Sequence, residues 1–337
     1  MRAATRSSFL IAVAALAAGR PVRAIAQSAK SLRLISFFST TTLPIWAAQA
    51  QGFFAREGVA LTLTQAPGSA EAFVRLSAGD VDLITAAVDN MIAYDEGQGD
   101  AKLPNPPDFV AIMGADSGSL GLYARPEVSS YADLRGKTLP VDAVGSGYSL
   151  LLRQMLDNHG LGVNDYQLEA VGGSTQRLAK LRSAPLYAAT LLSAPYDVQA
   201  RQAGYKLLGT GKDGATAYQA SATVARRSWL AGNADLAVSY IRAVIAGLDW
   251  IFDPRNRAAA TVLLAERLKL APELAAEVFP GVIDPVNGLF RDGRISAAGM
   301  ETVLALRGKY GVPRLTLTDP KKYYDERYYL QAARGRA

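Results

Sequence analysis

The chain has 337 residues, 50% of them hydrophobic and 20% charged, with 36 basic residues against 30 acidic ones. That balance supplies one large core or two ordinary ones and excludes disorder, collagen and coiled coil. Cysteine is absent and histidine occurs once, at His159, which removes disulfides, thiolate chemistry and histidine-cluster metal sites, and leans away from hydrolytic and metal-dependent enzymes.

Arg2, Arg6, Arg20 and Arg23 fall within the first 26 positions, where no acidic residue stands. The other 32 basic residues face 30 acidic ones, so little field remains to hold a nucleic-acid backbone. Arg2 and Arg6 precede ten consecutive apolar residues, Phe9 to Ala18, then Gly19-Arg20-Pro21 and Ala24-Ile25-Ala26. Basic, apolar and small-x-small segments in that order predict a secretory signal peptide over 1–26, cut after Ala26. A membrane anchor fits less well, because ten residues give about 15 Å of helix against roughly 30 Å of hydrocarbon. The expected location is the periplasm, with no membrane span in the mature chain.

Short apolar runs then alternate with helical patterns, the signature of α/β sheets. Strands are expected at Leu32–Phe38, Val59–Thr64, Asp80–Ala86 and Phe109–Gly114. A helix should open near Pro44 and fail at Gly52, and another should run from Ser69 to Ala78 with Gly79 as its left-handed stop. The stretch Gly97–Pro107 has loop composition. Ser130 and Asp133 have capping-box spacing ahead of a strand at Leu139–Val144, and Gly145-Ser146-Gly147 leads into a helix over Tyr148–Asn158. Further strands are expected at Tyr166–Val171, Ala188–Leu192 and Tyr205–Leu208, with helices opening near Ser174 and Pro195. From Asn233 the pattern is helical only: Ala234–Phe252, Arg257–Lys269, Pro272–Val278 and Ser296–Tyr310. This divides the chain into lobe I at 27–121, lobe II at 122–218, and a return to lobe I with C-terminal helices at 219–337. The chain would cross near Leu122–Arg125 and return near Gln219–Ala225.

The run Leu43-Pro44-Ile45-Trp46-Ala47-Ala48-Gln49-Ala50-Gln51-Gly52-Phe53-Phe54, continued by Glu57-Gly58-Val59, resembles the first helix and turn of the sulfonate/nitrate/taurine substrate-binding proteins of ABC importers. Ala78-Gly79-Asp80-Val81-Asp82, Asp133-Leu134-Arg135-Gly136-Lys137-Thr138, Ala203-Gly204-Tyr205 and Tyr323-Tyr324-Asp325 are similar to later stretches of that family, in the same order. At Ser183-Ala184-Pro185-Leu186-Tyr187-Ala188 the chain departs from the family's Gly-x-x-Asp-Ala run. The resemblance implies a type II periplasmic binding protein fold. Its two lobes would each be a mostly parallel sheet flanked by helices, with the ligand cleft between them. It also implies a monomer that delivers a small molecule to an inner-membrane permease.

Parallel sheets bind ligands beyond the carboxyl ends of their strands, where helix N-termini present free N–H groups. Gly145, Ser146, Gly147 and Tyr148 suit a carboxylate, sulfonate or nitrate, with a plain Ser-capped helix as the alternative. Ser39, Thr40, Thr41 and Thr42 offer hydroxyls for ligand oxygens or for helix capping, and Gly68-Ser69 does the same. Asp89-Asn90 would hold an ammonium or ring N–H, or cap the following helix. Ser174, Ser193 and Tyr196 complete the second lobe's candidates. Arg177 is expected at the surface, and Trp46, Tyr148 and Tyr196 either stack a planar ligand or pack in the core. His159, at a helix end, is expected to be structural. No cofactor, metal or catalytic residue is implied, and no nucleic acid. The expected function is therefore capture of a small organic anion. The alternatives are a binder of a pyrimidine or thiamine-precursor-like compound, or an enzyme like the pyrimidine-precursor synthases, whose reactive His and Cys-rich segment find no match here.

Overall fold

A computed structural model describes residues 29–335; the expected signal peptide lies outside them. The first sheet is built by period-two alternation. In β1 (Lys30–Ser36), Leu32 and Leu34 face one apolar cluster and Ile35 the other. The strand at Phe109–Asp116 repeats this, with Val110 and Ile112 on one side and Phe109 and Ala111 on the opposite one. A sheet apolar on both faces must be covered twice.

In chain order β1 is followed by α1 (Leu43–Ala50), α2 (Phe53–Arg56), β2 (Val59–Gln65), α3 (Ser69–Ala78), β3 (Leu83–Ala87), α4 (Val88–Asp95) and β4 (Phe109–Asp116). The chain then leaves this sheet for β5 (Gly121–Ala124), β6 (Thr138–Val141), α5 (Gly147–Asn158), β7 (Gln167–Ala170), α6 (Ser174–Ser183), β8 (Ala189–Leu192), α7 (Tyr196–Gln202) and β9 (Lys206–Thr210). It returns through β10 (Ser221–Arg226) and ends in α8 (Arg227–Phe252), α9 (Arg257–Leu268), α10 (Pro272–Val282), α11 (Ala297–Tyr310) and α12 (Arg327–Ala332). Among the described residues no helix is long and apolar enough to cross a membrane.

The first sheet has the order β2-β1-β3-β10-β4, with only β10 antiparallel to its neighbours. One face carries α3, α4 and α11, and the apolar cluster there continues into the second lobe through Leu120, Leu150 and Leu151. The other face carries α1 and α8, with α9, α10 and α12 beyond. The α1–α8 crossing is close: a Cβ on Gly247 would stand 2.1 Å from the Pro44 carbonyl oxygen, so the position admits no side chain.

In the second lobe β5 runs antiparallel to β8 and β9, and β6 runs parallel to β7. The two ladders adjoin along β6 and β8, where Ala188 N–H donates to the Thr138 carbonyl at 3.2 Å. The ladder cannot continue, because Pro140 has no N–H. Instead the buried Thr190 hydroxyl donates to the Pro140 carbonyl at 2.6 Å and holds the strands together.

Each lobe is thus mostly parallel, with one reversed strand. Those two strands, β5 and β10, occupy the segments where the pattern predicted crossings; the crossings themselves lie at 117–120 and 211–220. The long C-terminal helix begins earlier than expected, at Arg227, and breaks at Asn233, whose side-chain amide donates to the Trp229 carbonyl at 2.9 Å. The six-residue α12 was too short to show a period and docks through Tyr329 and Ala332.

Candidate functional site

Strand register places the site. In the first sheet Ser221, the start of β10, pairs with Ala87 and Asp116, the ends of β3 and β4. In the second, Gly121, the start of β5, pairs with Leu192 and Thr210, the ends of β8 and β9. The carboxyl ends of the parallel strands in both lobes therefore meet at the two crossings. Every loop singled out from the sequence leaves one of these strand ends.

On the first lobe the hydroxyls satisfy one another. Thr85 donates to Ser36 at 2.5 Å, and Thr42 lies 3.2 Å from Ser36 while donating to the Phe37 carbonyl at 2.9 Å. Ser39 accepts from the Thr41 N–H at 3.3 Å, and its hydroxyl meets that of Thr41 at 2.8 Å. Thr40 is half-buried, and its carbonyl accepts from the Leu43 N–H. Gly68 is the N-cap of α3, and Asn90 reaches across to donate to Ser69 at 2.9 Å.

Asp89 is neither a free ligand for an ammonium nor a helix cap. Its carboxylate is buried and grips Arg307 of α11 in a bidentate pair, Nε to Oδ1 at 2.8 Å and Nη2 to Oδ2. Burial pushes this carboxyl up from its ordinary range, and the guanidinium pulls it back. Arg307 also donates to the Gly145 carbonyl of the second lobe at 2.8 Å. Gly147 packs so tightly here that a Cβ would fall 2.6 Å from that of Asp89. A protein carboxylate thus sits against the start of α5, where the sequence suggested an external anion.

Ser146 is buried, donates to Asp142 at 2.6 Å and accepts from the Ser149 N–H at 3.3 Å. Its hydroxyl is committed as the N-cap of α5. Tyr148 is half-buried beside the first crossing. Burial and the Asp116 charge push that phenol upward.

Arg177 lies inside, not at the surface as expected: it is 4% exposed. Nε donates to the Leu191 carbonyl at 3.0 Å, Nη1 to the Gly172 carbonyl at 3.0 Å and Nη2 to Ser174 Oγ at 2.9 Å. All three acceptors are uncharged, and among the described residues Arg177 makes no ion pair. Burial lowers its pKa, and the nearby Asp142 opposes that. Next to it the Thr175 hydroxyl donates to Tyr196 at 2.6 Å, and Ser193 is half-buried at the start of α7. Trp46 is fully buried core and stacks on no ligand.

Four residues at this edge escaped the sequence reading: Arg307, Asp116, Asp142 and Ser221. Asp142 follows the end of β6 by a single residue and was findable by the strand-end rule. Arg307 lies 218 residues from its partner and carries no local signal. His159, the C-cap of α5, stacks on Tyr131 with centroids 3.7 Å apart, and belongs to the packing. A cavity of about 400 Å³ lies away from the crossings, in the loop after α4, lined by Tyr94, Leu103, Pro104 and Pro107.

Two α/β lobes, joined by two crossings with their strand ends facing each other, define the class of two-lobed binding folds. Residues 26–265 match the model of the NMT1-like family, and the chain belongs to that family. Among solved structures it is similar to the periplasmic nitrate-binding protein NrtA from Synechocystis PCC 6803, with a TM-score of 0.72, 15% identity and coverage of 90% of this chain and 88% of that one. It is also similar to the alkanesulfonate-binding protein SsuA from Xanthomonas axonopodis pv. citri bound to MOPS (TM-score 0.67, 17% identity, 86% and 95% covered). The desulfurization enzyme DSZB shares the fold at a TM-score of 0.61 and 14% identity, with 91% and 100% covered. The chain therefore has the periplasmic binding protein fold. No curated protein matches it in sequence.

Proposed function

We propose that the protein is the periplasmic solute-binding component of an ABC importer. It captures a small organic anion, a sulfonate, nitrate or carboxylate, between its lobes and delivers it to an inner-membrane permease as a monomer. The observation that carries this reading is Arg177, a buried guanidinium with only neutral acceptors. A buried cation with no ion-pair partner among the described residues is costly, and an anion at the strand ends would neutralise it. The N-terminus of α6, which holds Arg177 in its first turn, adds partial positive charge on the same side. Binding without turnover fits a chain with no cysteine and with its one histidine stacked against Tyr131.

Calorimetry on the exported chain with short sulfonates, nitrate and benzoate tests this. At least one should bind, and Arg177→Met should weaken it about 10- to 100-fold, the range for a hydrogen bond to a charged group. Failure of every anion to bind, or an unchanged affinity in the variant, would overturn the reading.

A further inference from the structure

Besides the two crossings, the lobes touch through two helix pairs, and these contacts are unlike. In one, α5 of the second lobe lies against α11 of the first. Leu150, Leu151 and Met155 of α5 share one apolar cluster with Met300, Val303 and Leu304 of α11, and all six are buried. The start of α11 is fastened to the second crossing. The Ser296 N–H donates to the Gln219 side-chain oxygen at 2.8 Å, and the Gln219 amide donates to the Ser221 carbonyl at 2.7 Å. A Cβ on Gly299 would stand 2.5 Å from the Gln219 backbone nitrogen. Crossing, α11 and α5 are thus one packed unit, and parting them would open buried apolar surface to water.

In the other pair, α7 of the second lobe meets α10 of the first. Glu277 of α10 accepts from Arg201 at 3.3 Å and from Gln202 at 2.9 Å, and the Arg201 and Glu277 side chains are 50% and 43% exposed. Val198 joins the first lobe's apolar cluster, whereas Ala200 packs into the second lobe with Tyr123 and Leu192. Asp197, in the first turn of α7, faces the same charges. Burial pushes its carboxyl up, Arg201 pulls it back, and the Glu277 charge pushes it up again. Arg201 therefore offsets two carboxylates that repel each other, one from each lobe. Exposed pairs of this kind are weak, and water replaces them readily.

We infer that the lobes part by rotation about the α5–α11 seam, and that Arg201 with Glu277 is a latch across α7 and α10 that keeps the lobes together without solute. Arg201 lies at the end of α7 opposite Tyr196, so the latch sets the population of parted molecules from outside the candidate site. The inference concerns the chain without solute and stands whatever the cleft takes.

Distances between paired spin labels, measured on the full exported chain without solute, test it. The chain has no cysteine, so two introduced ones are the only attachment points. Ala203→Cys with Ala276→Cys reports on α7 against α10, and Asn164→Cys with Ala305→Cys reports on the second lobe against α11; all four positions are exposed. Arg201→Glu sets three carboxylates together, so the first distance should lengthen while the second holds. Adding Glu277→Arg restores an opposite-charge pair and should shorten the first distance again, which a local distortion of α7 would not do. Should Arg201→Glu fail to fold, Glu277→Ala should give a smaller lengthening of the first distance alone. Equal lengthening of both distances would put the pivot at the crossings and overturn the inference. So would two unchanged distances, a change confined to the second, or a first distance that stays long in the charge-swapped double variant.

Discussion

The two lobes treat their facing edges differently. On the first, Ser36, Ser39, Thr41, Thr42 and Thr85 bond among themselves, and the Asp89 charge is cancelled by Arg307. Asp116, at this edge, keeps a buried oxygen without a partner among the described residues. On the second lobe Arg177 holds its charge against carbonyls and one hydroxyl. An edge saturated by its own groups is scaffold, whereas an edge that keeps an uncompensated charge is prepared for something that arrives later. On the proposed reading, anion recognition belongs to the second lobe and rigidity to the first.

The sharpest way to break this contrast is to treat the two arginines alike. Arg307→Met strands the Asp89 carboxylate in the interior, and breaking a buried pair from one side costs about 3–5 kcal/mol. Thermal or urea unfolding should show that loss, and the double change Asp89→Asn with Arg307→Met should recover much of it. Arg177→Met leaves no carboxylate behind, so its stability loss should be the smaller one and its main effect should be on binding. If Arg177→Met destabilises as much as Arg307→Met, the second lobe's arginine is scaffold as well and the contrast disappears.

How much of this was legible beforehand follows from the range of each interaction. The Pro44 helix and the Ser69–Ala78 helix are set by residues within a few positions of their ends, and both are where the pattern predicts them. The eight strands expected from apolar runs are present, trimmed or shifted by a few residues, because alternation is a local property. What composition could not show was pairing at a distance. Asp89 looked like a ligand carboxylate or a helix cap because nothing near it announces Arg307. Arg177 looked exposed because surface arginines are the rule, and only its packing against the ends of β7 and β8 overturns that. Asp116 sat at the end of a strand whose polarity change was visible, but the vacancy on its second oxygen is a fact of three dimensions.

A pH experiment tests whether the scaffold lobe titrates apart from the site. Asp95, at the C-terminal end of α4, has its carboxyl pushed up to about 7, by burial first, against pulls from the Phe109 backbone and the Arg227 and Lys322 charges. In the unfolded chain the same carboxyl returns to near 3.8, so between the two values the native state binds the extra proton. Stability from this group is greatest in acid and falls as pH rises through about 7, after which it levels. Asp95→Asn should flatten this part of the melting profile between about pH 4 and about pH 7, with ligand affinity at fixed pH unchanged. An affinity that follows the same titration would tie the far end of α4 to the cleft and blur the division of labour.

The smallest effect is expected at Ser146, and it decides what the start of α5 is for. The Ser146 hydroxyl has one proton, which goes to Asp142, and one of its lone pairs takes the Ser149 N–H. Ser146→Ala therefore removes an N-cap, at a cost of about 1 kcal/mol, and leaves Asp142 without its closest donor. The melting temperature of the free protein should fall modestly while calorimetry returns the parent affinity, since Arg177 and the α6 terminus are untouched. If the order is reversed, with an unchanged melt and affinity lower by about tenfold or more, the hydroxyl must turn from Asp142 to the ligand when the anion enters. The α5 terminus would then displace Asp89 as its neighbour on binding, and the first lobe's edge would take part in recognition after all.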